Sequence, residues 1–141
     1  MTSSVAAVAF GRAPGYPAFL ALLGAAPDPA GVPTRVKIAQ ALVGGIGVVL
    51  VALLAARLAG TRAALVAAWL AAAYPPLVWI AARAFSEALF WPVSVAAILL
   101  FDRATDRTPR GHSALVGAGV VAGLALLIRP GFVFFVPLAA L

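Results

Sequence analysis

The residues able to do chemistry are few and widely spaced. The chain holds ten Lys/Arg, four Asp/Glu, one His and no Cys. Arg12, Arg83 and Arg129 each stand at the edge of an apolar stretch, and Glu87 is the only carboxylate set within one. An ionised group among apolar residues is costly unless it is paired or serves a ligand. A carboxylate accepts hydrogen bonds from hydroxyls, and a guanidinium donates to the oxygens of an anionic head group. Each of these residues also has a plainer use. Arg83 lies four residues before Glu87, a spacing that pairs the two on one helix face. Arg129 suits the C-terminal end of a helix dipole, and an interfacial Arg reaches to lipid phosphates. Tyr16 and Tyr74 combine a ring with a hydroxyl, which suits a polar ligand or a membrane interface. Trp69, Trp79 and Trp91 read as interface or packing residues. His112 has no partner at metal-ligand spacing, and the lack of Cys excludes disulfides and thiolate metal sites. No cofactor is expected, and no metal-ligand cluster is visible.

The elements that must position these residues follow from composition. Of the 141 residues, 65% are hydrophobic and 10% charged, against about 45–50% and about 25% in soluble domains. That excludes an ordinary water-soluble domain, and a disordered chain would be poor in apolar residues. The solvent that fits is a lipid bilayer. The net charge of +6 is scattered, with no basic stripe, which argues against nucleic acid as a partner. A bilayer core takes about 20 apolar residues as helix, and its backbone polar groups must be satisfied internally. The expected fold is therefore all-α, a polytopic transmembrane helical bundle. Four spans are expected at 38–56, 63–82, 84–101 and 113–128, with an incomplete fifth over 131–141. Pro75 and Pro76 interrupt the second, and Tyr74 before them is pushed away from helical angles; a kink or early stop is expected there. Residues 1–37 read as a loop segment before the first span. Within it, 12–17 form a turn-rich segment, 18–26 a short apolar interfacial helix, and 27–33 a second loop. Gly119 and Gly123 are spaced to let helices approach closely.

These spans place loops 57–62 and 102–112 on one side. That side carries Arg57, Arg62, Arg103, Arg107 and Arg110, and the other carries Arg12, Arg35, Lys37, Arg83 and Arg129. The tie leaves the positive-inside rule unable to orient the bundle. It also leaves five cations on a far side that need a reason. An anionic head group of a ligand is one, and anchoring of helix ends to lipid phosphate is the other.

Several stretches resemble one family in order along the chain. Arg12-Ala13-Pro14-Gly15-Tyr16-Pro17-Ala18-Phe19-Leu20-Ala21 resembles the basic-x-Pro-Gly-Tyr-Pro-x-Phe-Leu-Ala stretch of bacterial membrane glycosyltransferases with the GT-C fold, close to the protein O-mannosyltransferase and lipid A aminoarabinose transferase group. Gln40-Ala41-Leu42-Val43-Gly44 resembles the start of that family's next span, and Gly60 with Arg62-Ala63-Ala64 its inner turn. Tyr74-Pro75-Pro76 and Ser86-Glu87-Ala88-Leu89-Phe90 resemble its Tyr-Pro and Ser-Glu-x-Leu-Phe pair. Gly123-Leu124-Ala125-Leu126-Leu127-Ile128-Arg129-Pro130 resembles its Gly-Leu-Ala-x-Leu-x-Arg-Pro ending. The resemblance runs from about residue 10 to 141.

The resemblance implies transfer of a sugar from a polyprenyl-phosphate carrier to an acceptor on the outer face of the cell membrane, by a multi-pass protein with loops 57–62 and 102–112 inside. Arg12, Tyr16, Arg83, Glu87 and Arg129 are the expected substrate-binding residues, with Arg12 and Arg129 toward the carrier phosphate and Glu87 toward a sugar hydroxyl. The partners implied are membrane lipid, the lipid-linked sugar donor and an acceptor of unassigned chemistry. The family's catalytic acid belongs to a first outer loop before the Pro-Gly-Tyr-Pro turn. Residues 1–11 hold no acid, and Asp28 matches no family acid, so no catalytic residue is assigned. The chain reads as a partial transferase, inactive alone. The alternatives are a small non-enzymatic multi-pass membrane protein and a transporter fragment.

Overall fold

The computed structural model describes residues 13–25, 31–83, 85–105 and 109–131. Arg12, Asp28, Arg107 and the apolar tail 132–141 lie outside the described residues. Among the described residues all regular structure is helical: α1 (Gly15–Leu22), α2 (Thr34–Ala73), α3 (Pro75–Ala81), α4 (Glu87–Ala104) and α5 (Pro109–Ile128). The sequence is rich in Ala and Leu, the best helix formers, and its prolines fall mostly where helices begin.

The chain enters its first helix earlier than the turn-rich reading of 12–17 expects. Pro14 is the N-cap residue and α1 starts at Gly15. Pro17 sits in the first turn, where a missing N–H would have found no intrahelical partner anyway. The Tyr74 expectation is met. Tyr74 is extended (φ −73°, ψ 109°), α2 ends at Ala73, and α3 restarts with Pro75 and Pro76 in its first positions. The loop expected over 102–112 is shorter, because α4 runs to Ala104 and α5 begins at Pro109.

The main reversal lies inside α2. Gly60 has φ 83° and ψ 179°, a backbone region open essentially to glycine alone. Gly44, Gly45, Ala71 and Ala72 line one groove. A straight helix would hold Gly44 and Ala71 about 40 Å apart, so the chain folds back at Gly60. Thr34–Ala73 is the one helix among the described residues that is long and apolar enough to cross a membrane, and His112–Ile128 is a shorter apolar helix. α4 carries Glu87 in its first turn and Asp102 and Arg103 near its end.

Small residues let these helices pack. Ala97 of α4 with Ala122 and Ala125 of α5 form the buried centre, flanked by Phe90, Val93, Phe101, Val121 and Leu126. Trp91 of α4 lies on Gly47 of α2, where a Cβ would collide with the ring. Trp91 is thus a packing residue, while Trp69 and Trp79 are exposed. Gly117 meets Leu100. The Gly119 and Gly123 face is open instead of packed, since nothing lies within 4 Å of a Cβ at either position. Leu42, Ile46, Val49 and Leu53 are all exposed; at spacings of three and four they form one apolar stripe facing away from the bundle. Such a stripe is a liability in water and ordinary in lipid.

Gly60→Ala should destabilise the bundle by about 1–3 kcal/mol, the cost of forcing a Cβ into that backbone region. Thermal unfolding in detergent micelles measures the loss, with Gly44→Ala, which has open space around it, as the control.

Candidate functional site

Four polar groups from separate segments gather at one end of the bundle. Glu87 opens α4, and its Oε1 accepts from Nη1 of Arg129 at 3.2 Å. Arg129 directly follows α5, and its guanidinium also lies over the Phe90 ring at 5.8 Å. The Ser86 hydroxyl donates to the other Glu87 oxygen at 3.4 Å. The pair is open, with Arg129 and Glu87 side chains 53% and 41% exposed. An open ion pair contributes at most about 1 kcal/mol to stability, so both groups remain free to meet a ligand.

Gln40 supplies the buried part of this end. It is 1% exposed, and its Nε2 donates to the Tyr16 hydroxyl and to the Phe85 carbonyl, each at 3.2 Å. One side chain thus ties α1, α2 and the turn that precedes α4. The Gln40 Oε1 is buried and has no partner among the described residues. α1 is held from two further sides. Gly15 sits so close to the end of α5 that a Cβ would lie 2.8 Å from the Leu127 carbonyl oxygen, and Arg35 donates to the Gly24 carbonyl. Burial pushes the Tyr16 phenol pKa above its ordinary value of 10.0; the hydrogen bond from Gln40 works against this, and the Glu87 charge adds to it.

Arg83 goes elsewhere. The helical spacing to Glu87 predicts a pair, but α3 ends at Ala81 and α4 begins at Glu87. The break removes the shared helix face that the pair needs. Arg83 lies instead over Trp79 at 4.9 Å, and Trp79 meets Phe85 at 5.5 Å. The structure therefore brings together Tyr16, Glu87 and Arg129, sets Arg83 beside them through Trp79 and Phe85, and leaves Arg12 outside the described residues. Gln40 is the member of this polar cluster that the sequence did not single out. A signal was available: it is the one carboxamide in the chain, and it stands near the start of an otherwise apolar span.

Gln40 also walls an apolar groove of about 480 Å³. Gly44, Gly45 and Val48 of α2, Ala71 and Ala72 after the reversal, Leu77 and Val78 of α3, and Ala88 and Trp91 of α4 line it, with Lys37 as its cation. The absence of side chains at Gly44 and Gly45 opens its floor. Among the described residues there is no group of three His, Cys, Asp or Glu able to hold a metal ion.

Residues 12–141 match the family described as dolichyl-phosphate-mannose-protein mannosyltransferase. The chain belongs to this family. No curated protein and no solved structure matches it. Membership in the mannosyltransferase family bears out the resemblance to GT-C-type membrane glycosyltransferases read from the ordered motifs. It fits the all-helical architecture and the long apolar helix, as expected of a membrane-associated family.

The electrostatic link between Glu87 and Tyr16 has a sign that can be measured. Glu87→Gln removes a negative charge that raises the Tyr16 pKa, so Tyr16 should ionise at lower pH in the variant. The chain has two Tyr, and a Tyr74→Phe background isolates the signal in a tyrosinate absorbance titration. A raised folded pKa favours the neutral phenol, so its contribution to stability is complete below the ordinary phenol range. It is lost as pH rises from the ordinary phenol value to the folded one, and Glu87→Gln, by lowering the folded value, should make that loss smaller and complete at a lower pH.

Proposed function

We propose that this chain forms the carrier-binding part of a membrane glycosyltransferase that moves a sugar from a polyprenyl-phosphate donor to an acceptor on the outer face of the membrane. The observation that carries the proposal is the junction at Gln40. On one side lie an acid, a guanidinium and a phenol, and on the other an apolar groove with one cation. A lipid-linked sugar has this chemistry in this order: a hydroxyl-bearing sugar, an anionic phosphate and a long apolar tail. Arg129, with Arg12 as the family motif implies, serves the phosphate. Charge grows on that phosphate as its bond to the sugar breaks, so fixed cations stabilise the transition state more than the ground state. Glu87 accepts from a sugar hydroxyl, Tyr16 and Arg83 serve the same polar head, and the groove takes the first isoprene units of the tail.

The same proposal includes a multi-pass topology. The stretches on either side of Gly60, with α4 and α5, serve as the four spans of the bundle. The Glu87 and Arg129 end then faces outward, and the end carrying Arg57 and Asp102 faces the cytoplasm. α4 supports the separation, since fifteen residues of helix put Glu87 about 22 Å from Asp102. The name of the family supplies mannose and dolichyl phosphate as the kind of sugar and carrier to try first.

Two measurements test this function. The chain has no cysteine, so single replacements report cleanly. A membrane-impermeant maleimide added outside intact cells should label Glu87→Cys and Arg129→Cys but not Arg103→Cys; the reverse pattern inverts the proposed site. In proteoliposomes, Arg129→Gln should weaken binding of a polyprenyl-phosphate-linked mannose by about tenfold or more, the worth of one hydrogen bond to a charged group. Unchanged affinity would remove Arg129 from the phosphate.

A further inference from the structure

We propose that Gln40 is a positioning residue that fixes the direction of the Tyr16 hydrogen bond, so that the phenol presents its own hydrogen to an anionic oxygen of the ligand beside Arg129. The inference rests on the proposed binding of a phosphate-bearing donor at this end.

The direction follows from what each group is able to do. The Phe85 carbonyl only accepts, so the part of the Gln40 carboxamide that meets it at 3.2 Å is the NH2 group. A flipped amide would set two acceptor oxygens against each other. The same Nε2 meets the Tyr16 oxygen at 3.2 Å. Its two hydrogens go to two acceptors, and the phenol oxygen is on the receiving side of the second bond. A phenol has one hydrogen to give. With its oxygen engaged by Gln40, that hydrogen is left to point away from α2.

Three features make this direction rigid. Gln40 is fully buried, so water does not compete for its amide. Tyr16 is held from behind by the close seating of Gly15 on the end of α5. Phe85 belongs to the turn that leads straight into Glu87. Any shift of that turn therefore moves the acid and the Gln40 acceptor together.

The arrangement is also poorly explained by stability alone. The buried Oε1 has no partner among the described residues, and an unpaired buried acceptor destabilises a fold. An apolar side chain of the same length would remove that penalty along with the two bonds. A carboxamide in this place is better accounted for by what its donors do to Tyr16. A donor hydroxyl is the useful polarity next to phosphate, because anionic oxygens accept and do not donate. A Tyr16 whose hydrogen was taken up by Gln40 would turn a lone pair to the ligand and repel it.

The test uses the whole chain in detergent, in a Tyr74→Phe background, with farnesyl phosphate as the probe. Gln40→Met keeps the length and loses both donors; Gln40→Asn keeps the amide but withdraws it by one methylene. Loss of the bond from Gln40 removes a feature that lowers the Tyr16 pKa, so both variants should raise the pH at which Tyr16 ionises. Gln40→Met and Tyr16→Phe should each weaken probe binding by about tenfold. The double variant should bind no more weakly than either single one, since Gln40 acts through Tyr16. Unfolding temperature should move little in Gln40→Met, which a purely structural tie would not allow. An unchanged Tyr16 titration overturns the proposed hydrogen-bond direction even where the probe binds. Multiplicative losses in the double variant overturn the coupling. Failure of the unaltered chain to bind farnesyl phosphate overturns the phosphate site itself and the ligand role of Tyr16 with it, whatever the titration shows.

Discussion

The buried amide of Gln40 is the constraint from which the polar end of this bundle follows. Helices in an apolar medium gain little from hydrophobic contact with one another, because the medium is as apolar as they are. What joins them must be shape or hydrogen bonds. At most contacts here shape does it, with Ala97 against Ala122 and Ala125, and Trp91 against Gly47. At the polar end shape is not enough. α1 is only eight residues long and buries no side chain fully, so it has no core of its own. Gln40 gives it a fixed partner through Tyr16 and uses its second hydrogen to hold the Phe85 turn. Remove that amide and the Tyr16 hydroxyl and the Phe85 carbonyl lose the donor that sets their directions, while the seating of Gly15 on α5 and the Arg35 bond to Gly24 still hold α1.

The outer surface obeys the opposite rule from a soluble protein. Leu42, Ile46, Val49 and Leu53 face out, and so do Leu115, Val116, Val120 and Leu124. Among the described residues the interior is made mostly of alanines, with Val36, Leu99 and Ile128. Burying alanine gains little by transfer from water, but it allows backbones to approach closely, which is where helices in lipid find their attraction. The arrangement makes sense in one solvent only. It also explains why the polar residues collect at the ends: a charged group facing lipid along the stripe would have nothing to pair with.

The all-helical architecture could be read from the sequence, because long apolar runs dictate helices and proline dictates breaks. The stop at Tyr74 follows from the steric clash before Pro75, and the reversal at Gly60 falls inside the charged segment 57–62. Spacing rules assume a continuous helix, and one of them crosses a helix end. The expected Arg83–Glu87 pair spans the gap between α3 and α4, so Glu87 turns to Arg129, a partner that no local rule proposes because the two residues are 42 apart. The turn-rich segment read over 12–17 enters a helix at Gly15, since prolines signal a helix start as readily as a loop. Gly119 and Gly123 have the spacing for close packing, yet which face of a helix meets a neighbour is a tertiary fact. Gln40 was visible as an oddity among apolar residues, but its two partners lie 24 and 45 residues away.

α4 gives the bundle a division of labour between its ends. Asp102 near its C-terminal end pairs with Arg57 of α2, and Glu87 at its N-terminal end pairs with Arg129 beyond α5. The first pair is the more covered, at 34% and 28% side-chain exposure, against 53% and 41% for the second. Screening by water weakens an ion pair as exposure grows, so the Glu87–Arg129 pair is the easier of the two to exchange. Under the proposed function, an incoming anion would compete with Glu87 for Arg129 at little cost, and the displaced carboxylate would be free to accept a hydroxyl. The pair at the other end meanwhile keeps α4 fixed in depth against α2. α4 thus carries an exposed, exchangeable pair at its N-terminal end and a more covered, anchoring pair at its C-terminal end, which is the division that the proposed function calls for.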